Sequence, residues 1–260
     1  MSIIACVKVY DGLAIGAESM TQLFGASQQA GQPLQWVKAF SNAKKLFDVR
    51  QTPGVGVLTY GAGNIGSRSV GSYIDEFAGS ITPVMTIQEI ANGLRDHVQA
   101  SYQAQFGQVP AGQQPATGFY VAGYSSNSHV GEELEFQFPQ GDVVPPRPAG
   151  FGASWRGVPV PFARLYSGVD PRIYLLMQAQ GVAPDIIARV QQEAANLVSP
   201  VAFDGMPVRD ALGFCKFILE TTIGVCTYEL GVPSCGGPLQ LAVITRREGF
   251  HWVLKPTYNV

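Results

Sequence analysis

The chain has 260 residues, of which 46% are hydrophobic and 14% charged, and its formal net charge is −2. A chain of this kind buries a substantial core, and its lack of long basic or acidic runs removes the electrostatic footprint of a nucleic-acid binder or of a protein held on an anionic membrane. Proteins and small molecules are the expected partners.

In chain order, Ile3 to Val9 reads as a strand. Asp11-Gly12, a strong hairpin signal, joins it to a second apolar run, Leu13 to Ala17. Ser2 then stands at a sheet edge, tied down where most termini are loose. Further strands are expected at roughly 34–40, 43–49 and 54–60. Two helices follow: Val70, Tyr73, Ile74 and Phe77 recur at helical spacing, as do Ile87, Ile90, Leu94 and Val98 behind the capping-box pair Thr86 and Glu89. Strands return in "GFYVAGY", "ELEFQF" and "GFGASW", broken by the turn-rich "PQGDVVPPRPAG". Helices are expected again behind Pro184 and Pro207, because proline costs a helix least in its first turn. The last strands are "VCTYEL", "LQLAVITR" and "FHWVLK".

Blocks of strands alternating with pairs of helices point to an α+β fold with mostly antiparallel sheets rather than to βαβ units. Nearly continuous apolar strands require cover on both faces. A four-layer α/β/β/α sandwich of two mostly antiparallel sheets, formed by residues 2–260 as one domain, satisfies both conditions. The segment 207–223 is apolar around much of its circumference, which implies contact with another subunit. Cys6, Cys215, Cys226 and Cys235 show neither CxxC spacing nor a histidine at ligand distance, so no disulfide framework, metal or cofactor is expected. Without a signal-peptide pattern or a long uninterrupted apolar stretch, a cytoplasmic protein that neither spans nor binds a membrane is expected.

"GAGNIG", Gly61 to Gly66, matches the GxGxxG of dinucleotide sites between a strand and a helix. Its context does not match, since Asp75 and Glu76 lie within the following helix and a second helix comes next. The same glycines serve close strand-to-helix packing equally well. A third use is chemical, in which freed backbone N–H groups at a helix N-terminus hold an oxyanion during acyl transfer.

Methionine ahead of a small residue such as Ser2 is normally trimmed in the cytosol. That leaves a hydroxyl and a free α-amine on one residue, with the amine titrating at about 7.7 to 8.0. Taken alone, Ser2 is also consistent with an ordinary second residue. The hairpin "YDGLAIGAES", the strand "NAKKLFDV" and the strand-turn-helix "GVLTYGAGNIGS" occur in the order and spacing of the proteasome β-subunit superfamily of N-terminal nucleophile (Ntn) hydrolases, which the first eighty residues or so resemble. Beyond them, "FGASWRGVPVPFARL" and "GVPSCGGPLQLAVITR" resemble the bacterial ancestral-beta-subunit (Anbu) branch and related bacterial proteasome homologues.

The resemblance implies the Ntn-hydrolase fold, self-association into rings or spirals, and a peptide or protein substrate. It makes Ser2 the nucleophile where the family usually has threonine, places Glu18 at the family's aspartate and Lys45 at its catalytic lysine, and gives Gly63 the oxyanion-hole N–H. A lysine on an apolar strand must reach solvent or find a carboxylate, and a buried, paired lysine lowers a neighbouring hydroxyl's pKa. The sequence departs from the family at Glu18, one methylene longer than aspartate, and at Met20, where arginine is frequent. Cys235 falls where a supporting serine is expected, leaving Ser19, Ser154 and Ser234 as candidates for the supporting positions. The expected function is amide-bond hydrolysis through an acyl-enzyme on Ser2 after loss of Met1; the alternative is an inactive proteasome-like ring acting as scaffold or compartment.

Overall fold

The computed structural model describes residues 2–25 and 35–256. The expected trimming of Met1 and the first residue of the expected 34–40 strand lie outside them. β1 (Ile3–Val9) and β2 (Gly12–Glu18) form the expected hairpin, with Val9 opposite Gly12 and the turn at Tyr10-Asp11. β3 (Thr21–Gly25) and β4 (Gln35–Phe40) make a separate two-stranded ribbon. β5 (Leu46–Arg50) and β6 (Val55–Gly61) lead into the short ribbon β7 (Asn64–Ile65) and β8 (Arg68–Ser69), then α1 (Val70–Ala78) and α2 (Ile87–Phe106). Next come β9 (Thr117–Gly123), β10 (Glu132–Phe138) and β11 (Gly152–Gly157). A helical stretch follows: α3 (Val160–Ser167), α4 (Ile173–Ala179), α5 (Pro184–Ala194) and α6 (Val208–Tyr228). β12 (Leu239–Thr245) and β13 (Gly249–Leu254) close the described chain.

Two larger antiparallel sheets result, in the strand orders β11-β1-β2-β12-β13 and β10-β9-β6-β5. Three apolar clusters account for the strands' apolar runs. Ile4, Ile15 and Ala242 of the five-stranded sheet meet Leu46, Leu58 and Tyr120 of the four-stranded one. On the latter's other side, Phe47, Phe119 and Phe136 pack with Ile74 of α1 and with Ile90 and Leu94 of α2. On the former's other side, Ile3, Ala5 and Val7 pack with Cys215, Ile218 and Leu219 of α6 and with Phe162 of α3. Neighbouring residues such as Ile3 and Ile4 thus enter different clusters, which is why β1 reads as continuous rather than alternating.

Local chemistry sets the helix ends as expected. The Ser69 hydroxyl accepts from Ser72 N at 3.3 Å at the start of α1. In α2 both halves of the capping box form: Glu89 N donates to Thr86 Oγ1 at 3.2 Å, and Thr86 N donates to Glu89 Oε2 at 2.8 Å.

Several elements differ from the sequence reading. "VCTYEL" is not a strand: Val225 to Tyr228 continue α6, because Cys226 extends the buried spacing of Cys215, Leu219 and Thr222 and no strong breaker comes before Gly231 and Pro233. Residues 42–45 lie outside regular structure, so the expected 43–49 strand begins at Leu46. β3, α3 and α4 were not expected, since elements of five to eight residues carry too few periodic positions to be told from loop. Gly63 does not stand at a helix N-terminus, because the β7–β8 ribbon intervenes before α1. Around GAGNIG, β6 pairs antiparallel with both neighbours and α1 leads to α2, so the βαβ unit of a dinucleotide site is not formed.

Phe136 is 1% exposed and stacks on Phe119 with ring centroids 4.8 Å apart. Phe136→Ala is expected to cost about 3–5 kcal/mol of stability by leaving a cavity, and Thr86→Ala about 1 kcal/mol by removing a cap, as measured by urea unfolding.

Candidate active site

Ser2, which is 3% exposed, precedes β1 and lines a cleft of about 870 Å³, whose walls also include Thr21, Lys45, Phe47, Gly63 and Asp75. Its backbone is pinned from the far strand. Gly157 lies opposite Ile3 with φ +100, and a Cβ there would stand 1.8 Å from the Ser2 carbonyl oxygen, so only glycine fits. The Ser2 side chain is held between the end of β2 and the irregular stretch before β5.

Lys45 Nζ donates to Ser2 Oγ at 2.9 Å, to a carboxylate oxygen of Glu18 and to the Met20 carbonyl. An ammonium carries three donors and no acceptor, so these three partners use all of them. Glu18 is fully buried and Lys45 is 7% exposed. The second Glu18 oxygen, Oε2, accepts from Met20 N at 2.7 Å and from Gly236 N at 3.0 Å. A buried carboxylate is thereby satisfied on both oxygens.

Burial pushes the Lys45 ammonium below the ordinary lysine value, and Glu18 opposes this by charge and hydrogen bond. Cys235 is itself buried, with its thiol driven upward by desolvation, so a protonated thiol borders the pair. Lys44, the neighbouring lysine, stays at the surface: it pairs with Asp75 at 3.1 Å and lies over the Phe47 ring.

The structure therefore puts Lys45 in contact with both Ser2 and Glu18 and sets Gly63 on the same cleft. A Cβ at Gly63 would come within 3.2 Å of Thr21 Oγ1. The three supporting candidates are not placed at the Ser2 hydroxyl. Ser19, beside Glu18, lies within hydrogen-bond distance of the Ser41 and Pro238 carbonyls, at 2.6 and 2.7 Å. Ser154 sits opposite Cys6, three positions along β1 from Ile3, with its buried hydroxyl making no hydrogen bond among the described residues. The Ser234 hydroxyl donates to Cys226 Sγ at 3.3 Å.

Three participants were not foreseen: the Met20 carbonyl, Gly236 N–H and Gln240, whose side chain contacts the backbone carrying Lys45. Two of these act through backbone atoms that no side-chain pattern reveals. Gln240 left a faint signal as the one amide in the apolar run "LQLAVIT".

No family model matches the chain and no curated protein matches it. Solved structures do. Anbu (ancestral beta-subunit) from Yersinia bercovieri is 15% identical with a TM-score of 0.53, the alignment covering 98% of this chain and 88% of that one. The helical assembly of the Anbu complex from Pseudomonas aeruginosa is 17% identical at a TM-score of 0.57, with coverages of 98% and 88%. Anbu from Hyphomicrobium sp. strain MC1 is 15% identical at 0.55, with 97% and 85% covered. The chain has the Anbu type of proteasome-like fold, a mixed α/β arrangement with antiparallel sheets.

Glu18 favours the ammonium of Lys45 while burial favours the neutral amine. Glu18→Gln removes the opposing charge, so the Lys45 pKa is expected to fall further and its neutral fraction at a given pH to rise. Titration of the lysine ε-carbon signal by NMR checks the direction; an upward shift would contradict this balance.

Proposed function

We propose that the protein is a proteasome-like peptidase or amidase that cleaves amide bonds through an acyl-enzyme on Ser2 once Met1 has been removed. The observation that carries the proposal is the 2.9 Å contact between Lys45 Nζ and Ser2 Oγ, made by a buried, carboxylate-paired lysine at the wall of an open cleft. The resemblance of the N-terminal motifs and the shared fold of the Anbu structures support the same reading. In this proposal residues 2–260 form one four-layer α/β/β/α Ntn-hydrolase domain working in the cytoplasm.

The reaction assigns each group one task. The Ser2 oxygen attacks the scissile carbonyl carbon while its proton passes to the free α-amine of the same residue. Lys45, donating to that oxygen, lowers the hydroxyl's pKa and stabilises the charge on it. Gly63 N–H receives the oxyanion. Collapse breaks the C–N bond and returns the proton to the departing amine, leaving an ester on Ser2. Water then adds to the ester carbonyl and releases the acid, restoring the hydroxyl.

Self-association belongs to the same proposal. α6 buries Ala211, Cys215, Ile218, Leu219, Thr222 and Cys226 but leaves Phe217 and Tyr228 exposed at 46% and 90%. It is also, among the described residues, the one helix long and apolar enough to cross a membrane, with mean hydropathy 1.2 over eighteen residues. Its buried face lies against β1 and β2, and its exposed apolar residues suit a second copy of the chain. The protein from Pseudomonas aeruginosa was solved as a helical assembly. This protein is accordingly expected to sediment as a large homo-oligomer at micromolar concentration, and a monomer would contradict the expectation.

The mechanism is tested at the N-terminus. A tag ahead of Ser2 converts the α-amine to an amide and should abolish cleavage of fluorogenic peptides, whereas a C-terminal tag should be tolerated. Ser2→Ala and Lys45→Ala should each lower kcat by roughly 10³-fold or more, without additivity, while Ser2→Thr retains activity. Undiminished turnover by the N-tagged or Ser2→Ala protein would place the chemistry elsewhere. Intact mass showing Met1 retained in the native host would support the non-cleaving compartment instead.

A further inference from the structure

Lys45 is carried on backbone with little ladder support. Residues 42–45 have no regular secondary structure, and β5 is the outer strand of its sheet, so the N–H groups of Lys45 and Leu46 have no strand to bond on that side. A side chain takes the place of one. Gln240 Oε1 accepts from both Lys45 N and Leu46 N, each at 3.0 Å, and Gln240 Nε2 donates to the Ala43 carbonyl at 2.7 Å. The amide thus works as an inserted peptide group, with both oxygen lone pairs and one N–H engaged. Gln240 is 2% exposed and lies in β12 opposite Ala17, one register step from the pair Leu239 and Glu18.

We infer that Gln240 is the positioning residue of the site: it fixes the Lys45 backbone in register with Glu18, so that Nζ meets Ser2 Oγ, and it does so without adding charge behind the ammonium. The inference rests on the hydrolase reading above. Two other backbone bonds reach this stretch, Ala43 N to the Ser19 carbonyl at 2.7 Å and Thr59 N to the Lys45 carbonyl at 3.0 Å. They tether the segment to the chain just past β2 and to β6, and leave the donors flanking the Lys45 side chain to Gln240 alone among the described residues. An ångström of drift there separates Nζ from a hydroxyl 2.9 Å away, a displacement that catalytic contacts do not tolerate.

Neutrality is the second half of the assignment. Lys45 is held below its ordinary pKa by burial against the opposing pull of Glu18. A second carboxylate at position 240 would raise it again, whereas an amide orients the backbone and leaves the titration alone. Gln240→Glu and Gln240→Met therefore separate the two roles. Glutamate keeps the acceptor for both N–H groups, gives up the donor to the Ala43 carbonyl and brings a charge; methionine keeps the volume and loses every hydrogen bond.

The experiment follows acylation of Ser2 by a β-lactone, in which the Ser2 oxygen opens the ring to an ester, by intact mass from neutral to alkaline pH. Native protein, Gln240→Glu and Gln240→Met are compared, each shown to be folded by its melting transition. Gln240→Met is expected to acylate about tenfold more slowly or worse. Gln240→Glu is expected to stay within about threefold of native at its own optimum, with the rising limb of its pH profile, which the mechanism above assigns to deprotonation of the Ser2 α-amine, displaced to higher pH by the added negative charge. A native rate in the methionine variant, or equal losses in both variants with an unchanged pH profile, overturns the assignment. Should the methionine variant not fold, the displacement in Gln240→Glu decides alone. Failure of the native protein to acylate overturns the hydrolase reading and the role of Gln240 with it, an outcome distinct from equal rates among acylating proteins.

Discussion

Moving a lysine ammonium and a carboxylate out of water costs several kcal/mol for each ion, and their attraction offsets it only if every remaining donor and acceptor is also met. The Glu18–Lys45 pair meets that condition, and doing so recruits much of the molecule. The lysine takes Ser2 and the Met20 carbonyl as its other partners, and the carboxylate takes the N–H groups of Met20 and Gly236. Those residues come from the start of β1, the end of β2 and the loop before β12. Their convergence requires the central order β1-β2-β12 of the five-stranded sheet and its packing onto the four-stranded one.

The length of Glu18 fits this arrangement. Its Oε1 meets the lysine while Oε2 turns toward the backbone of Met20 and Gly236, so one side chain spans the lysine and two loops. Gly236 also accepts from Met20 N at 2.9 Å and from Ser19 N at 3.2 Å through its carbonyl. The "PSCGG" segment therefore serves the site as a backbone clamp. Cys235, buried within it, contributes a protonated thiol next to the pair rather than a hydroxyl to Ser2.

What could be read from the sequence follows from where its information lies. The first hairpin, the capping box at Thr86 and the buried spacings of α1 and α2 are local patterns, and the structure forms them. The contact of Ser2, Glu18 and Lys45 was legible only through resemblance, because these residues are distant in the chain and each has an ordinary alternative use. Gly236 and the Met20 carbonyl act through backbone groups common to all residues, and Gln240 is defined by which sheet its strand joins. Ser154 shows the converse failure. Its neighbourhood in sequence matched expectation, yet strand register sets it opposite Cys6 rather than at Ser2. The reading of "VCTYEL" as a strand failed because β-branched composition yielded to the continuing helical face of α6.

α4 buries none of its residues and α5 only Ala194, although the two carry Ile173, Leu175, Leu176, Ile186 and Val190. Residues in such a position answer to almost none of the packing constraints that fix β1, β2 or α6. The molecule is consequently modular in an evolutionary sense. Within one chain, changes in the segment 173–194 do not reach the environment of Lys45, whereas changes in the clamp around Glu18 do. Diversity among descendants of this chain should collect on that helical hairpin, with novelty arising in what the molecule touches and conservatism around the Glu18–Lys45 pair.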